Sequence, residues 1–135
     1  MRLWSYELLE FLPKSQLIAQ WRECNLLVKD DNEGIKTNHI LINYVWEYDI
    51  SHLYCYMDLV KAEMQKRGLL TPTDRRRKTY FLVDKKNLFC KHHDNKYMVQ
   101  CFYNLQEKYD RGQKDFDRET YLRLENFMRE NWLYR

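Results

Sequence analysis

MRLWSYELLEFLPKSQLIAQWRECNLLV (residues 1–28) is the stretch around which the chain is organised. Residues 5–12 read as a short helix ended by Pro13, because the residue before a proline avoids helical angles. Pro13 then opens the next helix, where its missing N–H costs nothing. That helix is predicted to run to about Lys29. With Leu17 at zero and about 100° per residue, Leu17, Ile18, Trp21, Cys24 and Val28 fall within about 120° and form the buried stripe. Ser15, Ala19, Arg22, Glu23 and Leu26 lie opposite, at about 140–240°. Arg22 and Glu23 thus flank the small Ala19 on the face turned from the core, which leaves room for a partner. The stretch is read as starting at a free amino terminus, followed by Leu3, Trp4 and Tyr6, residues suited to packing it down.

The rest of the chain sets bounds. Its 135 residues are expected to make a single domain. They are 44% hydrophobic and 16% aromatic, with only 3 Gly and 2 Pro. That composition supports a sizeable core and argues against disorder or long linkers. No apolar run approaches the roughly 20 residues that span a bilayer, and Glu7 and Glu10 interrupt any secretory signal design. The cysteines Cys24, Cys55, Cys90 and Cys101 lack CxxC spacing. The expectation is reduced thiols and a cytoplasmic, monomeric protein.

Net charge is +3 and unevenly spread. Residues 1–68 carry 8 Lys/Arg against 10 Asp/Glu, and residues 69–135 carry 15 against 10. Within residues 75–96 there are 8 basic against 2 acidic side chains. That stretch includes Arg75, Arg76, Arg77 and Lys78, interleaved with Tyr80, Phe81 and Phe89. Such a stretch suits a nucleic-acid backbone.

Further along, DDNEG (30–34) reads as a loop. Residues 37–49 read as a short buried helix. Asp49 or Ser51 caps a helix ending at Gly68, with Leu53, Tyr56, Met57, Val60 and Met64 inward and Lys66 and Arg67 complementing its dipole. Residues 78–84 read as a short strand or extended arm. Asp94 caps a helix through Tyr109, with Tyr97, Met98, Cys101, Phe102 and Leu105 inward. Asp117 caps a final helix with Tyr121, Leu124, Phe127 and Met128 inward, and Trp132 and Tyr134 close the chain. The fold class expected is all-α, a compact single-domain helical bundle with room for one short extended arm. Cys90, His92, His93, Asp94 and Cys101 contain zinc-ligand residue types, but their spacing matches no closed tetrahedral pattern. No metal and no cofactor are expected.

The pattern MRLW…LP-x-x-QL-x-x-x-W-RE resembles the pyrimidine-dimer DNA glycosylase family, of the phage endonuclease V type. Asn38-His39 before an apolar segment and DLVKAEMQKRG (58–68) resemble its second block. Together these blocks span most of residues 1–68. The resemblance implies a helical DNA-repair enzyme, free of metal, that acts on duplex DNA at pyrimidine dimers. It flips a base and attacks C1′ of the damaged nucleotide's sugar with its N-terminal α-amine. An imine forms, and β-elimination cuts the strand. By position, Met1 and Glu23 become catalytic. Arg2, Arg22 and Gln16, with Arg75, Arg76, Arg77 and Lys78, become DNA-binding, and His39 lies behind the site. The family's phage pattern has histidine where Gln16 stands and a phosphate-contacting arginine where Leu26 stands. It also loses its initiator methionine, which the bulky Arg2 leads one to expect is kept here.

The chemistry suits these residue types. An α-amine titrates near about 7.7–8.0, against about 10.4 for lysine, so far more of it is neutral and nucleophilic at pH 7. A glutamate stabilises a developing sugar cation and moves protons, and arginines clamp phosphates. Two other readings are compatible with the sequence. One is a non-catalytic nucleic-acid-binding module that keeps the fold; the other is a helical protein-interaction domain.

Overall fold

Pro13 stands between the first two elements of the computed structural model, which describes residues 1–133. Before it, Tyr6–Phe11 forms a 3-10 helix. After it, helix α1 runs Lys14–Asn32 with Pro13 at its N-cap. A 3-10 turn, Asn43–Glu47, precedes α2 (Ile50–Lys66), and a short one, Lys85–Asn87, follows it. Helices α3 (Asn95–Asp110) and α4 (Arg118–Asn131) complete the chain. No strand occurs among the described residues, and the all-α expectation holds. Tyr134 lies outside the described residues.

The caps follow the sequence closely. Asp49, Asp94 and Asp117 each accept a hydrogen bond from a first-turn N–H, those of Ser51, Tyr97 and Thr120. Each satisfies one donor that has no partner within its helix. Gly68 follows α2 with φ +71°, the left-handed geometry that glycine adopts without strain. Residues 37–49 differ from expectation. They make an exposed loop and a five-residue 3-10 turn rather than a buried helix, with only Ile42 and Val45 buried.

Helix α2 is the central element. Leu53, Tyr54, Tyr56, Met57 and Val60 are all fully buried, and Cys55 nearly so. It packs against α1 and against the first 3-10 helix, and α4 covers that 3-10 helix from another side. Buried side chains from Leu3 to Met128 form one contiguous cluster. Arg67 does more than complement a dipole. Its guanidinium donates to the carbonyls of Leu12, Leu9 and Glu10 at 2.7, 3.1 and 3.1 Å. Arg67 thereby supplies donors to carbonyls at the C-terminal end of the 3-10 helix, where the helix's own donors run out.

The arm at 79–84 lies along α2 without a strand partner. Its backbone groups are met by side chains instead. Phe81 N donates to Ser51 Oγ, the Cys55 thiol donates to Phe81 O, and Val83 N donates to Cys55 Sγ. Phe89 has φ +50°, a left-handed backbone that is costly for an aromatic residue. Full burial holds it there, ringed by Tyr44, Tyr48, His52, Tyr56 and His93.

Candidate active site at the amino terminus

Residues 2–4 have no regular secondary structure, yet Leu3 and Trp4 are buried. Side chains from three helices take up their backbone groups. From α1, Gln20 donates through Nε2 to the Arg2 carbonyl and accepts at Oε1 from Trp4 N, both at 2.8 Å. From α2, the Tyr56 hydroxyl lies 2.7 Å from the Trp4 carbonyl and 2.8 Å from Gln20 Oε1, its single hydrogen shared between them. From α3, Tyr97 donates to the Leu3 carbonyl. A terminus that ordinarily frays is thereby held in place, and Met1 emerges at the surface, 38% exposed.

Gln20 also reaches the acid. It is fully buried, and its Nε2 lies 3.3 Å from Glu23 Oε2. One amide therefore joins the backbone behind Met1 to the carboxylate. Met1, Arg2, Trp4, Gln16, Ala19 and Glu23 line a cleft of about 300 Å³, with Leu41, Asn104 and Lys108 completing its wall. Burial pushes the Glu23 carboxyl above the usual carboxylate range, while the positive charges of the Met1 amine and Arg22 pull it down. The amine and carboxylate do not close into an ion pair within 4.0 Å among the described residues. Arg2 sits with its guanidinium 5.8 Å from the Trp4 ring centroid and 5.7 Å from that of Tyr97, near Cys101 Sγ. These cation–π contacts fix its direction while it lines the cleft.

Helical geometry explains why Arg22 is elsewhere. The buried arc of α1 is wider than the sequence suggested, taking in Gln20, Asn25 and Leu27 as well. Gln16, Ala19 and Glu23 lie along one edge of that arc, at about 200–260° on the helical wheel, and face the cleft. Ile18 and Arg22 lie along the other edge, at about 100–140°. There Arg22 and Arg75 border a second groove with Trp21, Leu26 and Leu70. The buried Trp21 indole N–H in its wall finds no hydrogen-bond partner among the described residues.

The family of this chain is decided by its first half. Residues 1–78 match the family model described as pyrimidine dimer DNA glycosylase. The chain belongs to the pyrimidine dimer DNA glycosylase family. No curated protein and no solved structure matches it. For a member of this DNA-repair glycosylase family, the matched segment holds Met1, Arg2, Gln16, Glu23 and Leu41, most of the cleft's lining, with the buried Gln20 behind it. Asn104 and Lys108 reach the cleft from α3, outside that segment.

The other sequence-predicted residues of this family member are dispersed. Arg76 is committed to the fold: its side chain, only 10% exposed, bonds Asp58, Asp74 and the Tyr54 carbonyl and lies over Trp21 and Tyr80. Lys78 pairs with Asp31. Arg77 is exposed, and Arg75 borders the Arg22 groove. His39 is exposed in a turn and lines no part of the cleft. His92 and His93 bond the hydroxyls of Tyr48 and Tyr44. No group of three or more His, Cys, Asp or Glu side chains is placed to hold a metal among the described residues.

Gln20 and Lys108 were missed from sequence. Gln20 had a signal: on the wheel it falls about 60° from Leu17, inside the buried arc, where a polar side chain needs partners. Lys108 had none, because only packing brings α3 beside the terminus.

Proposed function

We propose that the protein is a DNA glycosylase with apurinic/apyrimidinic lyase activity, acting on duplex DNA at pyrimidine dimers. The observation that carries this reading is one cleft lined by both Met1 and Glu23, with the amine's charge acting on the carboxylate. The flipped nucleotide's sugar enters between them. The neutral α-amine of Met1 attacks C1′, and the glycosidic bond breaks with its electron pair leaving on the base. Glu23 takes a proton from the attacking amine and returns it to the ring oxygen as the sugar opens to an imine. Loss of the C2′ proton then expels the 3′ phosphate by β-elimination, and water releases the enzyme from the cleaved strand. Arg2 and Lys108 supply the positive charge that holds the flanking phosphates.

The test is reductive trapping. Protein with an authentic amino terminus, mixed with abasic-site duplex and borohydride, is expected to form a covalent adduct. The adduct should disappear when residues are added before Met1, and should fall steeply in Glu23→Gln. Salt-sensitive DNA binding without any adduct would instead identify a non-catalytic binding module. Ultraviolet-irradiated duplex then tests dimer specificity separately.

A further inference from the structure

We propose that the turn His39–Ile42 is an apolar wedge that enters the duplex beside the flipped nucleotide, a role that rests on the reading of the cleft as a site for flipped DNA. The turn is closed by a hydrogen bond of 3.0 Å from Ile42 N to the His39 carbonyl. Its two central residues are Ile40, 85% exposed, and Leu41, 49% exposed. Ile42, immediately behind them, is completely buried and roots the turn in the core.

Turn centres are normally Gly, Asn, Asp, Ser or Pro, whose backbone preferences or side-chain hydrogen bonds suit the bend. Two large aliphatic side chains meet neither need, and in water they gain nothing from exposure. Position identifies what covers them. Leu41 forms part of the wall of the cleft that holds Met1 and Glu23, so whatever fills that cleft also meets the turn tip. The cleft wall carries Arg2 and Lys108, and Lys36 is exposed nearby in the chain, charges that suit a polyanion. Rotating a nucleotide out of a duplex leaves a gap in the stack. Apolar side chains at a rooted tip can fill such a gap and hold the kink open, as wedge residues do elsewhere. Ile40 is the leading side chain, and Leu41 joins it to the wall of the cleft.

The experiment compares wild type, Ile40→Ser and Ile40→Met in the full chain, each first checked for an unaltered thermal unfolding midpoint. The DNA probes are an abasic duplex carrying 2-aminopurine next to the abasic site and the corresponding single strand. The expected result is that Ile40→Ser lowers the duplex-to-single-strand ratio of trapping rates about ten-fold and removes the 2-aminopurine fluorescence rise, while Ile40→Met restores both. A ratio within about two-fold of wild type, with the fluorescence rise intact, overturns the wedge. So does concentration-dependent self-association that Ile40→Ser abolishes, which would assign the tip to a second copy of the chain. If wild type traps no DNA but still raises fluorescence through Ile40, the wedge stands and the lyase reading fails. If trapping proceeds without any dependence on Ile40, the lyase reading stands and the wedge fails.

Discussion

Glu23 is where one residue's environment has a measurable consequence. Its carboxyl is partly desolvated, which disfavours the charged form and raises its pKa; the Met1 amine and Arg22 oppose that shift. In the proposed mechanism the carboxylate is the working form. Acidification protonates it, so activity falls as pH drops through its raised pKa. The acid limb of a kcat profile on abasic DNA is therefore expected above the ordinary glutamate value of about 4.3. Glu23→Gln should remove the carboxylate's part of that limb along with most of the activity, leaving the part set by protonation of the attacking amine. A limb unchanged by the substitution would show that another group is responsible.

Single elements are held by side chains that read as ordinary polar residues. Gln20→Ala strands the Trp4 N–H, the Arg2 carbonyl and one contact of Tyr56. At roughly 1–3 kcal/mol for each buried group left unpaired, a loss on the order of 3 kcal/mol is expected in urea unfolding. Released from α1, Met1 should also trap DNA more slowly than the stability loss alone explains. The basic loop divides in the same manner. Arg76→Ala removes a largely buried guanidinium from its partly exposed partners Asp58 and Asp74 and should cost roughly 1–3 kcal/mol of stability. Arg77→Ala, at an exposed position, should leave stability within about 0.5 kcal/mol. Its effect belongs to DNA affinity, reducing the salt slope by about 1 if Arg77 meets a phosphate. Equilibrium unfolding of the two variants side by side separates the fold-holding arginine from the surface one.

The whole molecule has an acid sensitivity built into its aromatic cluster. Burial holds His93 neutral, lowering its pKa to about 3, with neighbouring His92 adding to the effect. His52 is lowered in the same direction, also by burial. In the unfolded chain both titrate near about 6.5. Between that value and about 3 the unfolded state binds the His93 proton and the folded state does not, so stability rises with pH across this window. Above it His93 imposes no penalty. As pH falls below about 6.5, His93 alone should remove up to about 1.4 kcal/mol per pH unit. Thermal midpoints measured from pH 7 to 4 should fall accordingly, and His93→Gln should flatten the curve. An equal slope in the variant would move the sensitivity to other groups.

Much of the architecture was written in short-range chemistry. Pro13 separated the first two helical elements, Asp49, Asp94 and Asp117 started three helices, and the inward residues of α2, α3 and α4 followed a 3.6-residue period. These features depend on neighbours within a few positions, so the sequence alone carries them. The family was legible for the same reason, in a motif concentrated in residues 1–28. Residues 37–49 misled because an apolar run without clear periodicity does not distinguish a buried helix from a loop rooted at Ile42. The neighbours of the amino terminus were decided only in three dimensions. Gln20, Tyr56 and Tyr97 lie on three different helices, and Lys108 is far away in sequence. Helical geometry set Glu23 and Arg22, adjacent in the chain, about 100° apart across the exposed face of α1, and packing placed a separate groove at each edge of that face. The sequence by itself determined the helices and the residue types of the site; the packing of α1, α2 and α3 around residues 2–4 decided which of those residues meet Met1.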